Sequence, residues 1–258
     1  YNSDNLKEWV YLSHLPGFWE CPELFELAVD GNVNNKKWVI YGASGEYLIG
    51  GFDGRQFTPE SAKQHFFKGK MYAAQTFNNI PEKDGRRIQI GWGQIAHPGM
   101  PFNMMMTFPT RLTLKTTDSG IKMFSEPIEE IKSLHKRRIS WNSSDRRGIN
   151  ETLRLLRGNE LHVKLRLSGG DLTQLLLDGN PIIDTASQKI IYTELYGNNN
   201  RGGRALDLEI LIDRTSIEVF AGGGEFSLIL PRILSRDLSS TANIKVDRLE
   251  AAELKSIW

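Results

Sequence analysis

"LDLEILIDRTSIEVFAGGGEFSLIL", residues 206–230, carries an apolar residue at every second position through its first limb: Leu206, Leu208, Ile210 and Ile212. A period of two belongs to a β-strand that buries one face. The second part, SIEVFAGGGEFSLIL (216–230), reads as a hairpin, because GGG (222–224) supplies turn positions with positive φ. The triple glycine is not a phosphate loop, since neither a helical pattern nor Gly-Lys-Ser/Thr follows it. Upstream, LHVKLRL (161–167) repeats the alternation with Leu161, Val163, Leu165 and Leu167. One buried and one wet face are expected, as in an antiparallel sandwich.

Towards the N-terminus, strand-like runs follow one another at short spacing: WVYLS (9–13), LFELAV (24–29), KWVIYGA (37–43), EYLIGGF (46–52), MYAAQTF (71–77), RRIQIGW (86–92) and MMMTFPTRLTLK (104–115). DGN (30–32), SGE (44–46), DGR (53–55 and 84–86) and HPGMP (97–101) mark the turns between them. No stretch here sustains a helical period. PIEEIKSLHK (127–136), with Pro127 in a first-turn position, glutamates near its start and basic residues at its end, predicts one short helical connector. The expectation is an all-β chain in two parts. Residues 1–126 hold segments (24–52 and 71–92) that each look like part of a four-stranded blade, and residues 127–258 hold a linker and a β-sandwich.

The 258 residues include 32 Lys/Arg and 31 Asp/Glu, a net charge of +1, with no long basic run to track a phosphate backbone. Nucleic acid is therefore not an expected partner. A single cysteine, Cys21, makes no intramolecular disulfide. No window approaches the ~20 apolar residues of a membrane span. The opening residues YNSDNLKEW have neither a basic nor an apolar leader region, and WVYLS reads as a strand already under way. The chain is expected to begin inside a longer protein, with any signal peptide upstream.

In LPGFWECPELFEL (15–27) a carboxylate stands beside the lone cysteine. Glu20 reads either as a general acid, its proton retained by the crowding aromatics Phe18 and Trp19, or as an ordinary charge at a strand rim. Cys21 lacks a neighbouring base or helix N-terminus, which leaves a small, buried, weakly polar residue rather than a nucleophile. The five histidines (14, 65, 97, 135 and 162) are scattered without ligand spacing, so no metal is expected. Trp19, Phe52, Tyr72, Phe77 and Trp92 lie near strand ends in the first half, where rings either stack on sugar C–H faces or simply pack a core.

Five ordered segments, WECPE (19–23), GEYLIGGFDGRQFTPE (45–60), KMYAAQTF (70–77), GRRIQIGWG (85–93) and LEILIDRTSIEVFAGGGE (208–225), together resemble glycoside hydrolase family 32, the β-fructofuranosidases: invertases, inulinases and levanases. The resemblance implies a five-bladed β-propeller followed by a β-sandwich, of which this chain would hold the last blades and the sandwich. It implies that Glu20 is the general acid/base, that Cys21 lines the fructosyl pocket, and that Tyr72 and Trp92 stand near the sugar-binding subsite, to which Trp19 is added as a candidate sugar contact by its aromatic ring. It implies a fructose-containing oligo- or polysaccharide as substrate, no cofactor, and a secreted protein, extracellular or periplasmic.

The departures matter equally. The family's nucleophilic Asp stands in a Trp-Met-Asn-Asp-Pro-Asn-Gly-like stretch and a second Asp in Arg-Asp-Pro, and neither motif occurs in these residues. Lys70 replaces an acid common among relatives, and GWGQIAHPGM (91–100) lacks an Asn-Trp step often found there. The expectation is a part of a retaining hydrolase that is inactive by itself, with a non-catalytic carbohydrate-binding or structural module as the alternative. Open sheet edges in residues 1–60 predict dimers or aggregation.

Overall fold

The computed structural model describes residues 1–168, 174–177, 180–184, 205–232, 238–241 and 245–256. Four strands, β1 (Glu23–Val29), β2 (Asn32–Tyr41), β3 (Glu46–Phe52) and β4 (Phe57–Pro59), form one antiparallel meander, and β5 (Gln64–His65) adds to β3. Asp30 and Gly31 both take positive φ (52° and 73°) between β1 and β2, as a tight two-residue hairpin requires. After β6 (Phe67–Gly69) comes a second meander: β7 (Met71–Thr76), β8 (Arg87–Gly93), β10 (Thr110–Thr117) and β11 (Gly120–Pro127), with β9 (Met105–Met106) beside β8.

The two meanders meet where β1 runs parallel to β10 at Val29↔Leu114. Asp30 secures the joint by accepting from Thr116 N (2.9 Å) and Thr116 Oγ1 (2.6 Å), and these bonds hold its carboxyl below the usual range. Phe25, Val39, Tyr41, Tyr47, Ile49, Phe66, Leu112, Leu114 and Met123 form their shared core.

A 3₁₀ helix at Glu129–Leu134 follows, two residues later than the sequence places its start, because Pro127 still belongs to β11. Beyond it lie β12 (His135–Asn142), helix α1 (Ile149–Leu153), β13 (Leu161–Ser168), β14 (Gln174–Leu177), β15 (Asn180–Asp184), β16 (Leu206–Ile212), β17 (Ser216–Ala221), β18 (Phe226–Pro231), β19 (Leu238–Thr241) and β20 (Lys245–Leu254). The larger sheet has the order β12-β20-β13-β16-β17-β18-β6, and a three-stranded sheet has the order β15-β14-β19. The GGG turn between β17 and β18 takes φ of 61°, 68° and 89°, as the hairpin reading requires. Helix α1 is too short for its period to stand out in the sequence. Leu153 within it and Leu156 just after it pack into the sheet's core.

All eight residues picked out by alternation, Leu161, Val163, Leu165, Leu167, Leu206, Leu208, Ile210 and Ile212, are buried in one cluster. The expectation of a wet opposite face fails at the middle of the sheet. Every residue of β17 is buried, including Glu218 and Phe220, and Leu211 joins Ile131, Phe220 and Leu254 in a second cluster on the other side. The N-terminal half covers that face. Strand β6 pairs in parallel with β18, Ser125 N–H donates to Gly224 O (2.8 Å), and Phe108 N–H donates to Glu218 Oε1 (2.9 Å).

Two further strand expectations need correction. WVYLS (9–13) is not a strand: it makes a single bridge, Asn2↔Val10, and Trp9, Val10 and Tyr11 stay exposed. β-Branched and aromatic residues form a strand only when a neighbouring strand pairs with them. The run 104–115 is broken between β9 and β10, where Pro109 has no N–H to donate.

Candidate active site

The segment before β1 is pinned from three directions. Lys63 Nζ donates to Gly17 O (2.6 Å) and stands 4.9 Å above the Phe18 ring. Phe18 lies on Gly42, where an added Cβ would come within 2.9 Å of the ring. Glu20 O accepts from Ala43 N (2.9 Å), and Ala43 O accepts from Ala73 N (3.0 Å), so one backbone relay aligns Glu20, the end of β2 and strand β7.

Strand β7 is irregular where it meets this relay. Its register with β8 runs Met71↔Gly93 and Tyr72↔Trp92, then shifts before Gln75↔Ile90. Ala73, inside the bulge, has φ 46°, and Cys21 has the same value. The left-handed region costs a non-glycine residue on the order of 1 kcal/mol, and such outliers gather at functional sites. A bulge re-aims side chains, and here the Tyr72 hydroxyl donates to Glu20 Oε2 at 2.8 Å. That hydrogen bond, followed by desolvation and the charge of Glu20, raises the Tyr72 phenol above its ordinary value. Tyr72 also meets Trp92 edge to face, with ring centroids 6.5 Å apart.

Of the residues singled out by sequence, Glu20, Tyr72 and Trp92 therefore come together. Trp19 does not join them: its side chain is 90% exposed and makes none of the ring contacts among the described residues. Phe18 packs on Gly42 rather than on the carboxyl, and Glu20 itself is exposed, so the expected aromatic crowding of Glu20 is absent. Cys21, expected to be buried, is exposed, and its backbone lies in the left-handed region. Phe52 packs edge to face on Trp38, whereas Phe77 remains about half exposed.

Sequence reasoning missed Glu23, the second carboxylate of WECPE. It accepts from Thr76 N (2.9 and 3.1 Å to its two oxygens) and Thr76 Oγ1 (3.2 Å), and the Tyr41 hydroxyl lies 2.7 Å from Oε2. The carboxylate ties β1 to the strand that carries Tyr72. Arg87 Nη1 extends the tie by donating to Thr76 Oγ1 (3.2 Å). The only sequence signal for Glu23 was a charged residue at the first position of a strand that is apolar apart from Glu26. Among the described residues no group of three His, Cys, Asp or Glu side chains is arranged to hold a metal ion. No helix there is long and apolar enough to cross a membrane.

Comparison with known proteins gives this geometry a context. The family model "Glycosyl hydrolases family 32 N-terminal domain" matches residues 1–127. The levanase of Bacillus subtilis (strain 168) is 28% identical over 324 aligned residues, covering 100% of this chain and 47% of the levanase. An extracellular exo-inulinase of Aspergillus niger is 28% identical, covering 100% of this chain and 60% of that protein. The crystal structure of exo-inulinase from Aspergillus awamori superimposes with a TM-score of 0.69 at 24% identity, covering 99% of this chain and 62% of that one, a likeness of fold. The chain thus spans about half to three-fifths of the length of these two curated relatives. The ordered motifs, the paired meanders and these similarities lead to one conclusion: residues 1–127 belong to the N-terminal domain of glycosyl hydrolase family 32.

Proposed function

We propose that this chain carries the acid/base side of a fructan- or sucrose-hydrolysing site, in which Glu20 is the general acid/base and Tyr72 positions its carboxylate. The observation that carries this reading is the 2.8 Å bond between Tyr72 Oη and Glu20 Oε2, which joins two motifs 52 residues apart. A carboxyl open to solvent has access to a glycosidic oxygen. It gives that oxygen a proton as the leaving group departs, then takes one from the incoming water. Trp92, over a third exposed beside Tyr72, offers a ring to the C–H face of a furanose, and Trp19 and Cys21, exposed on either side of Glu20 in the sequence, are proposed as further sugar contacts.

A retaining mechanism requires a second carboxylate about 5–5.5 Å from the first, acting as nucleophile. The Asp-bearing motifs that the family resemblance implies for that role are absent from residues 1–258. The nucleophile is therefore proposed to come from sequence outside these residues, and the chain alone to be inactive. In this reading the two meanders are blades of a five-bladed propeller within residues 1–126, and residues 127–258 contribute a linker and a sandwich of the three-stranded sheet and the seven-stranded sheet, whose edge strand β6 comes from the N-terminal half. The substrate class, and the extracellular exo-inulinases among the relatives, favour a secreted site of action.

The test is fructose release from sucrose, inulin and levan by three proteins: residues 1–258, a form extended upstream through the Asp-bearing motifs, and that extended form with Glu20→Gln. Only the extended wild type is expected to turn over, with a loss of about 10²–10⁴ on Glu20→Gln. In the extended form, Tyr72→Phe should reduce kcat roughly tenfold, the worth of one hydrogen bond to a charged group. Turnover by residues 1–258 alone would refute the missing nucleophile, and a fully active Glu20→Gln would refute its role. Sugar binding without cleavage by the extended form would favour a carbohydrate-binding module.

A further inference from the structure

The sequence between residues 132 and 157 holds eight Lys/Arg against two Asp/Glu in a chain whose net charge is +1, so positive charge is gathered around β12 and α1. Strand register then builds a trough there. Arg138 and His162 both stand opposite Ala252, and Ser140 and Lys164 both stand opposite Glu250, across the three neighbouring strands β12, β20 and β13. Strands two places apart are separated by about 10 Å. The Ala252 methyl is too small to fill that gap, so it forms a floor between taller walls. The result is a cavity of about 480 Å³, closed at one end by Lys132 and His135. That volume suits a small organic ligand.

The walls carry three cations, Lys132, Arg138 and Lys164, against one carboxylate, Glu250. His162 Nε2 lies 2.7 Å from Glu209 Oε1, and His162 Nδ1 lies 2.9 Å from His135 Nε2. The carboxylate fixes the proton on His162 Nε2, so Nδ1 accepts from His135 and both rings are locked in place. The His135 imidazole is pushed down to about 4, first by burial and then by His162, Arg138, Lys132 and Lys164, whose positive potential converges on it. Lys164 is partnered by Glu209 (3.2 Å), Lys132 by Glu129, and Glu250 by Arg248. The side chains of Arg138 and Ser140, two residues apart on one face of β12, make no hydrogen bond or ion pair among the described residues.

We infer that this trough is a second ligand site, for a small hydroxylated anion of monosaccharide size such as a sugar phosphate or a sugar acid. The Arg138 guanidinium presents a fork of donors matched to a phosphate or carboxylate. Ser140 and Lys164 are placed for the hydroxyls, and the Ala252 floor admits the ring.

Calorimetric titration of the full chain with glucose 6-phosphate, gluconate, inorganic phosphate and glucose tests the assignment. At least one of the two sugar anions is expected to bind, more weakly at high salt, and more tightly than either phosphate or glucose. Binding of the sugar phosphate alone identifies a phosphate ligand, and binding of gluconate alone a carboxylate ligand. Arg138→Gln, at an exposed position that the fold does not need, should weaken binding at least about tenfold through loss of a charge-assisted contact. Ala252→Leu, which fills the floor and leaves every charge in place, should abolish it, with circular dichroism confirming the fold. No binding up to about 10 mM anion, where a ligand worth only about −4 kcal/mol would saturate, overturns the inference. So does binding that Arg138→Gln leaves unchanged, or glucose binding as tightly as the sugar anions.

Discussion

Replacing Glu218 with glutamine should make the protein less sensitive to alkaline pH, by an amount the structure sets. Glu218 lies on β17 beneath the N-terminal half, 4% exposed, with Phe108 N–H donating to its Oε1 at 2.9 Å. Burial pushes its carboxyl up to about 8 from 4.5, the negative charge of Asp213 adds to the rise, and the Phe108 bond opposes it. Because the folded value lies above the unfolded one, the native state holds this proton more tightly. That contribution to stability is complete below about 4.5, erodes as pH rises, and is gone above about 8. At about 1.4 kcal/mol per pH unit, the span is worth about 3–5 kcal/mol. Glutamine keeps the carbonyl that accepts from Phe108 and never ionises. Urea unfolding followed by tryptophan fluorescence, from about pH 5 to pH 9, should show the two proteins within about 1 kcal/mol at the acid end and the variant ahead by about 3–5 kcal/mol at the alkaline end. The other titrating groups are common to both proteins and cancel in the difference. Parallel pH curves for wild type and Glu218→Gln would refute the argument.

Glu23→Gln replaces one acceptor of the Thr76 bonds with a donor, and should cost about 1–3 kcal/mol in unfolding free energy while loosening the strand that carries Tyr72. Gly42→Ala drives a Cβ to 2.9 Å from the Phe18 ring. Overpacking of this kind typically costs about 1–3 kcal/mol, and a melting temperature within error of wild type would mean that Phe18 does not hold the Glu20 segment. Tyr1, Leu6, Trp9, Val10, Tyr11 and Trp19 are all exposed in the first 19 residues. Residues 1–258 alone should therefore self-associate as concentration rises, and light scattering that reports a clean monomer at high concentration would count against it.

Much of the architecture was legible because strand and turn signals are local. The alternation at 161–167 and 206–212 named the buried face of two strands residue by residue, and GGG (222–224) named the hairpin between two others. A period of two states which face is apolar, but it carries no information about what covers the other face. Glu218 and Phe220 on β17 are buried by what packs on that other face: Phe108, whose N–H bonds Glu218, and Ile131, Leu211 and Leu254 around Phe220. WVYLS failed for the complementary reason: its residues favour a strand, but pairing needs a neighbour, and among the described residues it has only the single Asn2↔Val10 bridge.

The candidate site divides along the same line. The sequence was enough to group Glu20, Tyr72 and Trp92, because the motifs that carry the resemblance to glycoside hydrolase family 32 are written in the chain and the resemblance implies their shared site. Tertiary structure decided that Tyr72 reaches Glu20, since a bulge at Ala73 and a relay through Ala43 turn the phenol across 52 residues of separation. It also decided that Glu23 holds the two strands together, that Cys21 faces solvent, and that two histidines far apart in the sequence, His135 and His162, share a hydrogen bond. Each of these depends on which strand lies beside which. That choice is made by summed burial and hydrogen bonding over the whole sheet, and no short window of sequence contains it.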